Sequence, residues 1–143
     1  MSERNLPMKN LLVVTLAILI SLMFIGCGGG GSGSGVNSSL VGTWSGPWTD
    51  SALSENGTMN ITVSSIGVVS GTIQNTTLSK SGTISGTLNS LGYLSATIVY
   101  PSGGASISGP VSLNSGGQMA GTVLYTLSPT AIQSSATITL SKQ

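Results

Sequence analysis

Two hydrophobic patterns divide the chain. From Leu11 to Ile25 the residues are apolar apart from Thr15 and Ser21, after a polar start that carries Arg4 and Lys9. Farther along, apolar residues and glycines alternate with polar ones. Met59, Ile61 and Val63 alternate with Asn60, Thr62 and Ser64, and Gly82, Ile84, Gly86 and Leu88 with Thr83, Ser85 and Thr87. Ala105, Ile107, Gly109, Val111 and Leu113 alternate with Ser106, Ser108, Pro110 and Ser112, and Ala136, Ile138 and Leu140 with Thr137 and Thr139. A period of two puts the two sets on opposite faces of a strand. Hydroxyl-covered outer faces suit antiparallel sheets with one wet side. The pattern predicts eight strands, over 40–47, 57–64, 68–75, 82–89, 93–100, 105–113, 118–127 and 131–141.

A short repeat sets the connections. Ser64-Ser65-Ile66-Gly67, Asn89-Ser90-Leu91-Gly92 and Asn114-Ser115-Gly116-Gly117 recur at an interval of 25 residues, from Gly67 to Gly92 and from Gly92 to Gly117. Each stands between two alternating runs. Ser or Asn opens a type I turn, and Gly takes the left-handed position that closes it. The domain is therefore expected to be all-β, a single small antiparallel up-and-down meander, and closure into an eight-stranded barrel would remove its two edges. A solenoid of stacked coils also fits so short a repeat but ranks lower, because the turn chemistry asks for hairpins.

The apolar run near the start has the length of a signal peptide's core and is short for a spanning helix of roughly 20 residues. It closes on Phe24-Ile25-Gly26-Cys27, and Cys27 is the single cysteine of the chain. Gly26-Cys27 resembles the lipobox of bacterial lipoproteins, with Phe24 standing where Leu is usual. The resemblance implies that Cys27 receives a diacylglyceryl group and becomes the mature N-terminus, with palmitate among its acyl chains. Two or three chains hold a protein to a membrane durably. Gly28 stands where an Asp would favour retention at the inner membrane, so the resemblance implies the outer membrane where the source has two. Residues 28–35 are glycine and serine only, a composition that reads as a coil-like tether. The chain thus divides into a signal peptide (1–26), the lipidated Cys with its linker (27–39) and an all-β domain (40–143).

Charge and chemistry narrow the function. Beyond the leader there are two lysines, Lys80 and Lys142, and two acids, Asp50 and Glu55, with no histidine anywhere. A balance of zero argues against nucleic-acid binding. Without His, Ser-His-Asp and Cys-His machinery is excluded. Asp50 and Glu55 are the only pair available for carboxylate-dependent hydrolysis, but in a Pro- and Ser-containing loop they read as solvating charges. Two acids are also too few for a calcium site of six or more oxygens. No enzyme activity, metal or cofactor is expected.

Gly42-Thr43-Trp44 opens the first strand, and Gly67-Val68-Val69-Ser70-Gly71-Thr72 spans the second hairpin. Both resemble the small antiparallel barrels of the calycin group, lipocalins and avidins. In lipocalins the Trp of the early Gly-x-Trp packs across the closed end, and this implies a core position for Trp44. No later Trp matches the biotin-stacking residues of avidins, so biotin binding is not implied. The Arg that often covers the lipocalin Trp has no counterpart either, as no Arg follows Arg4.

A meander with the three repeat turns at one end sends the other connections to the opposite end. Trp48, Asp50, Glu55, Lys80, Tyr100 and Tyr125 are expected to converge there, and barrel rims are common ligand mouths. Gly71, Gly82, Gly86, Gly109 and Gly121 share the inward face, where glycine either leaves room for a ligand or lets strands bend tightly. The sequence favours a mostly filled interior with binding at the Trp48–Tyr100–Tyr125 rim. The expected function is a lipid-anchored cell-envelope protein that binds an apolar small molecule or a protein partner. The alternatives are a structural envelope protein without a ligand and, more remotely, a hydrolase using Asp50 and Glu55. Replacing Cys27 with Ser should abolish palmitate labelling and leave the precursor uncut; label on the Ser variant would contradict the lipobox.

Overall fold

The structure is a computed structural model that describes residues 35–143. The apolar leader, Cys27 and the segment up to Ser34 lie outside the described residues. A single 3-10 turn, Ser38–Leu40, precedes the strands β1 (Gly42–Asp50), β2 (Glu55–Val63), β3 (Val68–Asn75), β4 (Lys80–Leu88), β5 (Tyr93–Tyr100), β6 (Gly103–Pro110), β7 (Ser112–Leu113), β8 (Met119–Ser128) and β9 (Gln133–Lys142). All pairings are antiparallel, in the order β6-β5-β4-β3-β2-β1-β9-β8-β7. β6 also pairs with β8, from Gly104 opposite Ser128 to Ser108 opposite Leu124. That pairing closes the meander into a barrel.

β6 and β7 are together the strand expected over 105–113. Ser112 lies opposite Ala120 and Leu113 opposite Met119, in the same register that β6 holds against β8. The ladder lapses because Pro110 has no N–H and the Val111 N–H donates instead to the Gly92 carbonyl, at 2.8 Å. Eight barrel strands therefore appear as nine segments.

The three repeat turns share one geometry. The Gly67, Gly92 and Gly117 N–H groups donate to Ser64, Asn89 and Asn114 carbonyls at 3.0 Å each, and the three glycines have φ of 83°, 78° and 72°. Asn89 Oδ1 accepts from Leu91 and Tyr93 N–H at 3.0 and 2.9 Å, and Asn114 Oδ1 from Gly116 and Gln118 at 2.9 and 3.0 Å. A short side-chain acceptor at the first turn position is the reason Ser and Asn recur there. Adjacent turns are also linked, since the Gly67 carbonyl accepts from Leu88 N–H at 2.8 Å just as Gly92 accepts from Val111.

Alternation placed the core correctly. Trp44, Met59, Ile61, Val69, Ile73, Ile84, Leu88, Leu94, Ile98, Ile107, Met119 and Val123 are all at most 2% exposed. Leu113 is a correction: at the far tip of β7 it is 38% exposed, and Val111 is the last residue of that strand to be buried. The inward glycines resolve in favour of tight bending. A Cβ on Gly71 would lie 2.0 Å from the Asn60 carbonyl oxygen and one on Gly86 2.2 Å from that of Ser95, so neighbouring backbones occupy the space.

Both ends of β1 differ from expectation. Leu40 belongs to the 3-10 turn, where it is buried with Val36, and its carbonyl accepts from the Trp44 indole at 2.9 Å. The strand then continues past Pro47 to Asp50, because β2 pairs along its whole length. Pro47 interrupts only the ladder to β9, which skips Gly46 and Pro47. Asp50 and Glu55 accordingly form the last cross-strand pair of a hairpin and do not sit in a long loop.

Gly117 has open space where a Cβ would stand, whereas a Cβ on Gly92 would lie 2.5 Å from the Val111 carbonyl oxygen. Gly117→Ala should cost about 1–2 kcal/mol from its left-handed backbone alone, and Gly92→Ala measurably more. Equal losses on denaturant titration would contradict the packing of the second turn against the strand beside it.

Candidate functional site

Four connections gather at the end opposite the repeat turns: Ser51–Ser54, Thr76–Ser79, Pro101–Ser102 and Pro129–Ile132. All six rim candidates come to that end. They arrive at inward phases of their strands, and most are buried. Trp48 is 2% exposed, Asp50 1%, Tyr125 1% and Tyr100 8%. Glu55 is half-buried and Lys80 exposed. Trp48 is thus a core residue. Its ring stacks on Tyr125 with centroids 5.9 Å apart, and its indole N–H donates to the Gln74 carbonyl at 3.1 Å. It forms the floor beneath the mouth, where sequence reasoning expected it at the rim.

The two carboxylates are not free charges. Asp50 Oδ1 accepts from Ala52 and Leu53 N–H at 3.0 Å each, and its Oδ2 accepts from the Ser134 hydroxyl. It shapes the turn that ends the first hairpin. Glu55 Oε2 accepts from Asn75 Nδ2 at 2.7 Å, while Asn75 Oδ1 accepts from Leu78 N–H at 2.9 Å. Asn75 and Ser134, 1% and 8% exposed, were missed as members of this cluster. Their signal was available: each is a polar residue at the inward phase of its strand, close to the strand's end.

Tyr100 behaves differently. Its hydroxyl is buried and makes no well-formed hydrogen bond among the described residues, the only buried side-chain polar atom of which this holds; the Tyr125 hydroxyl is near enough to act on it but not well placed. Burial raises the Tyr100 ionisation above its ordinary value; the hydrogen-bonding influence of the Tyr125 hydroxyl opposes the rise, and the charge of Glu55 adds to it. Tyr125 is pushed up further, first by burial and then by the neighbouring Tyr100. An orphan hydroxyl in a buried position is costly unless something occupies it.

Tyr100 and Lys80 line a cavity of about 200 Å³ at the mouth, with Ser102, Leu127, Ser128 and Thr130. A larger groove of about 540 Å³ runs over the seam where β6 meets β8, along Thr97, Val99, Gly104, Ser106 and Thr126. Small outward residues on β6 leave that groove shallow. Gly103, Gly104, Leu127 and Ser128 border both spaces. The arrangement offers an apolar surface with one buried hydroxyl and one exposed ammonium. No group of three or more His, Cys, Asp or Glu gathers among the described residues.

Trp48→Ala should cost about 3–5 kcal/mol as a core truncation, so near-neutral melting would contradict its burial. The folded chain holds the Tyr125 proton more tightly than the unfolded chain, whose ordinary value is 10.0. The resulting stability is full below about pH 10 and falls as pH rises above it. Tyr125→Phe should reduce that alkaline loss; identical pH profiles for the two proteins would contradict it.

Comparison of the chain with protein-family models, with curated proteins and with solved structures finds no match in any of the three.

Proposed function

We propose that the protein is a lipid-anchored component of the cell envelope, attached through Cys27, whose barrel binds a small apolar molecule at the mouth between Lys80 and Tyr100. The anchoring part rests on the apolar leader and on Gly26-Cys27 with no other cysteine in the chain. The binding part rests on one observation above all, the poorly satisfied Tyr100 hydroxyl in a residue that lines a cavity at the end of a filled barrel. Eight-stranded barrels are near the size at which side chains just fill the interior. Here they fill it, and a ligand is left the mouth and the adjoining seam groove. A molecule that parts the mouth enough to reach the buried Tyr100 hydroxyl would gain one hydrogen bond to orient it there.

No catalysis belongs to this reading. The hydrolase alternative gains nothing from the geometry, because both oxygens of Asp50 already accept hydrogen bonds. A purely structural envelope role is the second reading, and the complete burial of Trp48 and Asp50 favours it. The two separate by experiment. Native mass spectrometry of the full chain purified from its own membranes should detect a bound small molecule. Tyr100→Phe should weaken its binding about fivefold, one hydrogen bond's worth, while keeping or raising the melting temperature. A chain that carries no molecule, or binding indifferent to Tyr100→Phe, would sink the mouth proposal and leave the structural role.

A further inference from the structure

The end that holds the repeat turns has features the fold does not require. Ile66 is 77% exposed and Leu91 89%, more than any other large apolar residue described. They sit at equivalent positions of the first two turns, where the third has Gly116. Gly116 makes the same turn with the same hydrogen bonds, so turn geometry does not call for an apolar residue there. Val68 and Tyr93 follow on the outer surface of the strands at these turns, 48% and 47% exposed, and Leu113, at the inward phase of its strand, is left 38% exposed at the tip. The other end also carries exposed apolar residues, Leu78, Val99 and Ile132 at 46%, 57% and 48%, but none as bare as Ile66 and Leu91.

The chain enters the barrel at this same end. A Cβ on Gly35 would lie 3.4 Å from the Ser65 carbonyl oxygen, and Val36 packs over Gly67. Cys27 precedes Gly35 by eight residues, which span at most about 28 Å when fully extended. The side-chain charge at this end is that of Lys142, whose Nζ lies 5.4 Å from the Trp44 ring centroid. Asp50 and Glu55 lie at the opposite end. Exposed apolar tips, a half-exposed Tyr and a lysine at an end with no Asp or Glu side chain among the described residues suit the headgroup region of a bilayer.

We infer that the turn end is a membrane-docking surface, which rests on the bilayer holding the protein's own Cys27 anchor and inserts Ile66 and Leu91 among the headgroups. The inference rests on the anchoring proposed above and gives it a direction. A tether this short keeps the local concentration of membrane high, so two weakly apolar tips suffice to orient the barrel. The ligand mouth then faces away from the bilayer.

The test uses the full lipidated chain in vesicles of phosphatidylethanolamine and phosphatidylglycerol. Acylation consumes the Cys27 thiol, so Leu91→Cys, Ile66→Cys or Ser102→Cys each supplies a single free thiol for a fluorophore. Quenching by spin-labelled acyl chains should be at least severalfold stronger at positions 66 and 91 than at 102. Equal quenching at the three positions, with palmitate present on Cys27, would overturn the docking surface and leave the anchor standing. Absence of palmitate would overturn both. Proximity between position-91 labels on two molecules, without lipid quenching, would overturn it in favour of a second copy of the chain.

Discussion

The pairing of β6 with β8 is the constraint on which the rest depends. Without it the meander would be an open sheet with two unpaired edges, and its apolar face would need some other cover. With it, Gly104–Ser108 lies against Leu124–Ser128 and the buried inward side chains form one core. The seam is made possible by small residues. A Cβ on Gly109 would lie 2.8 Å from Val123 Cα, and one on Gly121 2.2 Å from the Pro110 carbonyl oxygen. Small outward residues of β6, Gly104 and Ser106, leave the outer groove that adjoins the mouth. Closure and the candidate site are two consequences of one stretch of sequence.

Closure also gives the barrel two unlike ends. One is sealed by Val36, Leu40 and Trp44 and carries the hydrogen-bonded turns with their bare apolar tips. The other keeps buried polar groups, Asp50, Asn75, Tyr100 and Ser134, above the stacked pair Trp48 and Tyr125. Three of those four polar groups are satisfied within the protein. Tyr100 is not, and the proposed ligand site grows from that difference. The proposed membrane surface grows from the other end, through apolar side chains for which the turns themselves have no use.

Much of this was legible in the sequence, for a definite reason. Strands with one wet face repeat every two residues, so inward positions can be counted from any one of them, and from Met59 to Val123 the expected inward side chains are buried except Leu113 at a strand tip. Glycine at fixed distance from Ser or Asn identified the hairpins. What failed did so where a local rule met a tertiary one. Pro47 reads as a strand end, yet β1 continues because only its β9 neighbour needs the missing N–H. That error put Trp48 and Asp50 in a loop and made an exposed rim out of a buried floor. Glycine on an inward face was ambiguous, since the space beside it depends on how closely another strand approaches. The cover of Trp44 was also out of reach: Lys142, almost a hundred residues on, lies over its ring. Nothing in local sequence links residues so distant.

Barrel closure is best tested by backbone nuclear Overhauser contacts and amide exchange across the seam. Cross-strand contacts should connect residues 104–108 with 124–128 in the register of Ile107 opposite Tyr125, with amides there exchanging as slowly as those between β2 and β3. Missing contacts and fast exchange along both strands would show an open sheet with free edges, and would contradict the account.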